Sequence, residues 1–72
     1  IIDSIKIDIY SMEHLPPHFH TLFAEYEELI EIETLKTYIG YVPKMQRKKV
    51  TDWAMKNKNY LLEVFKQLNP RL

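Results

Sequence analysis

All three histidines of this 72-residue chain fall between positions 14 and 20, in the run His14-Leu15-Pro16-Pro17-His18-Phe19-His20. Imidazole titrates near neutral pH and is a common metal ligand, so chemistry is sought here first. His18 and His20 are two residues apart, and on a strand both rings leave one face while Phe19 turns to the other, toward a core. Two imidazoles do not complete a site. Zinc or another divalent ion would need a third ligand, and the suppliers within reach are His14, Glu13 and carboxylates of adjacent strands such as Glu31. The candidate metal set is therefore His14, His18 and His20. Two plainer readings rank above it: histidines held in structural hydrogen bonds come first, and histidines that touch a partner come second. No cofactor is the favoured state.

The same rings could work in acid–base catalysis, with Glu31 or Tyr26 completing a proton shuttle. A nucleophile is harder to find. The chain has no cysteine, and Ser4 and Ser11 sit in no recognisable nucleophile elbow. Lys44, Arg47, Lys48 and Lys49 form a basic cluster that could hold a phosphate backbone, the arrangement a small ribonuclease would need. A lysine-rich helix is more often a solvated face, and the formal net charge of zero opposes strong non-specific binding to nucleic acid. Trp53 and Phe65, at helical spacing, read as core residues rather than stacking platforms. Tyr10, Tyr38 and Tyr41 fall on strands, where they cover the sheet or offer a surface to a partner.

The elements that must position these groups follow from periodicity. Ile5, Ile7 and Ile9 alternate with Lys6, Asp8 and Tyr10, which predicts a first strand. Ser11 to Pro17 forms a loop, since the double proline removes two backbone donors and disfavours helix before it. His18 to Phe23 is the second strand, Ala24-Glu25-Tyr26 a turn, and Glu27 to Glu33 the third. Thr37 to Val42, a β-branched and aromatic run that includes the single glycine, Gly40, is the fourth. After Pro43 the period becomes helical: Met45, Val50, Trp53, Ala54 and Asn57 fall on one side. Asn57-Lys58-Asn59 is a candidate break with Asn59 as N-cap of a second helix, whose stripe is Leu61, Val64, Phe65 and Leu68; Pro70 ends it. One uninterrupted helix is the alternative. The fold class is α+β, a four-stranded antiparallel meander followed by one or two C-terminal helices, β-β-β-β-α-α.

Seventy-two residues make a single domain, 1–72, and at 46% hydrophobic the chain is too apolar for a disordered segment. So small a core leaves room for stabilisation by a partner or a homodimer interface. The neutral total hides a division at Pro43. Residues 1–42 carry eight carboxylates against two lysines, net −6, and residues 43–72 carry eight cations against two carboxylates, net +6. Such asymmetry steers a partner or draws an acidic sheet and a basic helical part together. Without cysteine there is no disulfide framework, so a reducing compartment, the cytoplasm, is expected. No apolar run approaches the roughly 18 to 20 residues of a membrane span, and no export signal or membrane association is expected. Because the chain opens on Ile1 rather than Met, a few preceding residues are expected.

Pro16-Pro17-His18-Phe19-His20, Glu25-Tyr26-Glu27, Leu29-Ile30-Glu31-Ile32, the step from Gly40 to Pro43 and Trp53-Ala54 together resemble a family of small bacterial proteins known as domain of unknown function 4160. The likeness extends over nearly the whole chain. It departs at Ala24 and Leu35, where that family more often has glycine; both concern turns. The resemblance implies an α+β fold and a prokaryotic source, with no established biochemical function to carry onto residues here. It also implies a toxin–antitoxin-like setting, because such genes often sit beside another small gene. The reading that follows is a protein-interaction module with a small protein partner. Its alternative is a metal- or histidine-dependent enzyme acting on RNA, centred on His14, His18 and His20.

Overall fold

A computed structural model describes residues 4–11 and 13–71; Asp3, one of the eight carboxylates of the acidic part, lies outside them. Four strands form one antiparallel sheet in the order β1 (Lys6–Asp8), β2 (His18–Phe23), β3 (Tyr26–Glu31) and β4 (Thr37–Tyr41), followed by α1 (Lys44–Lys56) and α2 (Lys58–Leu68). This is the α+β meander expected from the period of two giving way to a helical period. Both helices are present, so the continuous-helix alternative is excluded.

The registers decide which side chains share a face. Ile7 pairs with Thr21, Phe19 with Ile30 and Thr21 with Glu28; paired residues point to the same side of a sheet. That side meets the helices in a core of Ile5, Phe19, Ile30, Ile32, Val50, Ala54, Leu61 and Phe65. Asp8 pairs with His20, and His20 with Leu29, so the histidine face is the one away from the core. Truncating Phe19, wholly buried, would cost about 3 to 5 kcal/mol.

Several element ends and one side-chain placement differ from the periodic reading: Tyr26, expected in the turn, opens β3, and β4 ends at Tyr41 rather than Val42. The first strand stops at Asp8 rather than running to Tyr10, because the Tyr10 carbonyl accepts from the Asn69 side-chain amide at 3.0 Å instead of from a neighbouring strand. The third ends at Glu31, and the buried Ile32 donates its N–H to the Pro17 carbonyl at 3.0 Å. The helix break is Asn57 itself. Its side-chain amide donates to Trp53 O at 2.8 Å and its N–H to Ala54 O, closing α1, while its carbonyl accepts from Leu61 N and opens α2; Asn59 therefore lies inside α2. Met45, placed on the core side by the sequence, is 69% exposed. It sits five residues from Val50, about 140° around a helix of 3.6 residues per turn, and the core side belongs to Val50 and Ala54.

The turns explain the two missing glycines. Ala24 has φ 52° and Leu35 has φ 60°, the left-handed region that glycine enters without penalty. Gly40 has φ 90°, and a Cβ there would lie 2.2 Å from the Glu27 carbonyl oxygen. Between Leu29 and Ile30 the β3–β4 register slips, leaving Tyr38 between the pairs Leu29–Ile39 and Ile30–Thr37. This bulge turns Thr37 to the core side beside Ile30 and keeps Ile39 on the open side beside Leu29.

Candidate functional site

The loop from Ser11 to Pro17 delivers the histidines to the sheet. At its end β2 begins, and strand alternation sends Phe19 into the core while His18 and His20 leave the opposite face, as their spacing predicts. The His18 side chain is nevertheless 0% exposed. Its Nδ1 lies 2.8 Å from the Pro16 carbonyl oxygen, and since a carbonyl only accepts, Nδ1 carries the proton. Nε2 is buried with no hydrogen-bond partner. It lies 3.4 Å from Glu13 Oε2, close enough for an ion pair but not aligned for a hydrogen bond.

His20 stands between two carboxylates, with Nδ1 3.0 Å from Glu27 Oε2 and Nε2 2.8 Å from Glu13 Oε1. The Tyr10 ring meets it edge-on at 4.5 Å. Glu13 thus spans both histidines. Burial, the largest influence on its carboxyl, raises the pKa, but the His20 hydrogen bond and the charges of His18, His20 and His14 outweigh it, so the net shift is downward. Tyr10 donates its hydroxyl to Asp8, which raises the phenol's pKa.

One ligating atom each from Glu13, His18 and His20 lies within 4.8 Å of the other two. The three histidine rings gather around His18, with centroids 5.3 Å away for His14 and 5.4 Å for His20, and Glu13, His18 and His20 form the group of converging ligand atoms without His14. The His14 ring is exposed, 5.5 Å from that of Tyr38, with Nδ1 3.2 Å from the Leu15 carbonyl oxygen. Glu13, one of the suppliers weighed for the third ligand, occupies the place. Among the described residues, neither Glu31 nor Tyr26 makes a hydrogen bond or ion pair with a histidine, so the expected proton shuttle is not assembled.

Sequence reasoning missed the residue that holds Glu13 there. Asn69, buried at the end of α2, accepts from the Glu13 N–H at 2.8 Å and donates to Tyr10 O and Phe65 O, each at 3.0 Å. The first part of the loop is thereby pinned, at Tyr10 and Glu13, to a helix terminus 59 and 56 residues further along the chain. A lone Asn before Pro70 reads only as a helix stop, so no sequence signal marks this role.

The basic cluster on α1 divides. Arg47 does not face solvent as a phosphate clasp: its Nε donates to Glu28 Oε2 at 2.8 Å, and its Nη2 to Leu35 O and Thr37 Oγ1. Glu28 is itself buried and also accepts from the Val42 N–H at 3.1 Å and from the Thr37 hydroxyl. Lys48 pairs with Asp52 at 2.9 Å, while Lys44 and Lys49 are exposed. Among the described residues, the attraction between acidic sheet and basic helix is realised at the seam in the Glu28–Arg47 pair, its carboxylate buried and its guanidinium part-exposed.

On the side of the sheet away from the helices, Ile39 and Tyr41 are 60% and 62% exposed. By register they line up with Leu29 and Glu27 of β3, and those with His20 and Leu22 of β2. Tyr26 packs edge-on against Tyr41 at 5.7 Å. Among the described residues no helix is long and apolar enough to cross a membrane.

No curated protein and no solved structure matches the chain significantly. The sequence profile of a domain of unknown function, DUF4160, matches residues 4–66, taking in the histidine loop, the whole sheet, α1 and most of α2. The chain belongs to the DUF4160 family.

Proposed function

We propose that this domain is a protein-interaction module, with the open face of the sheet around β4 as its contact surface. The observation that carries the reading is the exposure of Ile39 and Tyr41 side by side on an edge strand whose five residues are all exposed. Large apolar groups on an unpaired edge favour addition of a strand or segment from another chain. The occupant is a small protein offering an extended apolar segment with basic residues, because the apolar strip is flanked by Asp8, Glu27 and Glu31 against Lys6. A second copy would set one acidic face against another, which disfavours a homodimer through this surface. The product of an adjacent small gene, in a toxin–antitoxin-like pair, is the partner to test first.

The test is co-expression with that product, followed by co-purification at graded salt. The complex is expected to form with the wild type and to weaken at least tenfold with Ile39→Lys/Tyr41→Lys, which removes central apolar contacts and inverts the charge. Circular dichroism and thermal melting of the variant should match the wild type. Unchanged binding by a folded double variant would place the contact elsewhere, and a concentration-dependent dimer lost in the same variant would replace the heterologous partner with a second copy.

A further inference from the structure

We propose that Glu13, His18 and His20 form a binding site for a divalent first-row transition metal of the zinc class, with Glu13 Oε and the Nε2 atoms of both histidines as ligands. This inference is independent of the interaction reading, since it concerns the loop-covered end of the sheet rather than β4.

Three observations carry it. The first is convergence: the Glu13–His20 and Glu13–His18 pairs stand at 2.8 and 3.4 Å, and all three ligating atoms lie within 4.8 Å of one another. Neighbouring ligands of a tetrahedral zinc at 2.0 to 2.1 Å are separated by about 3.3 Å, so changes in separation of up to about 1.5 Å would bring the set into range. The second is orientation. His18 Nδ1 is held by the Pro16 carbonyl and His20 Nδ1 by the Glu27 carboxylate, the outer partners that fix a ligating imidazole with its Nε2 lone pair turned to the metal.

The third is the unpartnered nitrogen. In its neutral form, with the proton on Nδ1, His18 presents a bare lone pair on Nε2 to a carboxylate oxygen 3.4 Å away, in a side chain with no solvent exposure. Two acceptors facing each other without a proton repel, and a cation between them turns the repulsion into coordination. In its neutral form His20 has the same deficit, because a neutral ring has one N–H and this one faces carboxylates at both nitrogens. Two imidazoles and one carboxylate suit zinc and its neighbours, whereas magnesium and calcium prefer all-oxygen shells. Three protein ligands leave a position for water or for a group supplied by a partner.

The test uses the full chain purified without a histidine tag, stripped with chelator and titrated with Zn2+ alone or Co2+ alone, with Mg2+ as control. Calorimetry and elemental analysis should give one bound ion per chain for zinc and cobalt, none for magnesium, and a melting temperature that rises with zinc concentration. Glu13→Gln and His20→Asn, less buried than His18, should each weaken binding by at least about tenfold. Glu27→Gln should weaken it by about tenfold through the outer shell, and His14→Ala should leave it unchanged. Absence of saturable uptake by the folded wild type would overturn the proposal, as would equal affinity in a folded Glu13→Gln/His20→Asn variant. Loss on His14→Ala with retention in Glu13→Gln would overturn this ligand set in favour of three histidines.

Discussion

The Glu28–Arg47 cluster and the Glu13–His18–His20 cluster are built from similar parts, a carboxylate drawn under cover beside nitrogen bases, yet their atoms are satisfied to different degrees. Glu28 accepts from the Val42 N–H, the Thr37 hydroxyl and Arg47, and Arg47 spends its further donors on Leu35 O and Thr37. Every contact there pairs a donor with an acceptor. Around Glu13, one buried histidine nitrogen has no partner and another histidine meets carboxylates at both ends. A closed network is what a fold needs at a seam between β3, β4 and α1; an open one, retained in a domain of marginal core size, marks a place kept for something else.

The sharpest test of that contrast is Arg47→Met. It keeps much of the aliphatic stem but leaves the Glu28 carboxylate buried without its cation, a loss expected at about 3 to 5 kcal/mol. In a domain this small, where 1 kcal/mol moves the melting temperature by about 4 to 8 °C, most of the fold would be lost. Urea denaturation measures it, and a loss below about 1 kcal/mol would make the seam no more structural than the histidine cluster. Next in size is Asn69→Ala, which removes three hydrogen bonds at about 1 kcal/mol each. Because Asn69 tethers the loop without touching a candidate ligand atom, faster hydrogen exchange should be confined to residues 9–17 and the end of α2. Uniform acceleration across the sheet would show that it acts on the core instead.

How far the sequence reached follows the same division. Regular periods were legible: placing Phe19 on one face of β2 and His18 and His20 on the other needed only strand alternation, and Val50, Ala54, Leu61 and Phe65 needed only the helical repeat, whereas the burial of His18 beside the Phe65 ring was not periodic. The seam was legible in principle. Glu28 lies two before Ile30 and Arg47 three before Val50, so both fall on core-facing positions, and a buried acid and a buried base imply each other. Read as part of a basic patch with Lys44, Lys48 and Lys49, Arg47 goes instead to a phosphate contact or a solvated face. The turns at Ala24 and Leu35 were visible as departures from glycine, whereas their positive φ values came from the structure. The third member of the histidine cluster could not be fixed, because an aperiodic loop gives no register and its tether, Asn69, is remote in sequence. Between Glu13 and His14, adjacent residues that point differently, only the folded loop decides.

Smaller effects separate a satisfied histidine from an unsatisfied one. His18→Leu gives up the bond to the Pro16 carbonyl but also removes the unpartnered nitrogen, and the branched side chain fills much of the same space. The two terms are each about 1 kcal/mol and opposed, so the metal-free stability should stay within about 1 kcal/mol of wild type. A loss matching that of Arg47→Met would place His18 in the structural class and break the comparison.

The smallest effect uses the other buried side-chain atom without a partner among the described residues, Thr21 Oγ1. Thr21 pairs across the sheet with Glu28, so its hydroxyl neighbours the closed network without joining it. Among the described residues no cluster of ligating groups includes it, which makes it the control for His18. Thr21→Val keeps the β-branched shape and its restricted χ1 in the strand and deletes only the unpaired hydroxyl. Stability should rise by about 0.5 to 1 kcal/mol, read as a higher denaturation midpoint at unchanged slope, with zinc affinity untouched. A fall would mean that the hydroxyl supplies Glu28 with a further donor, leaving the seam short of a partner when it is removed. The contrast with the histidine cluster would then rest on the number of donors reaching each carboxylate rather than on closure of the network.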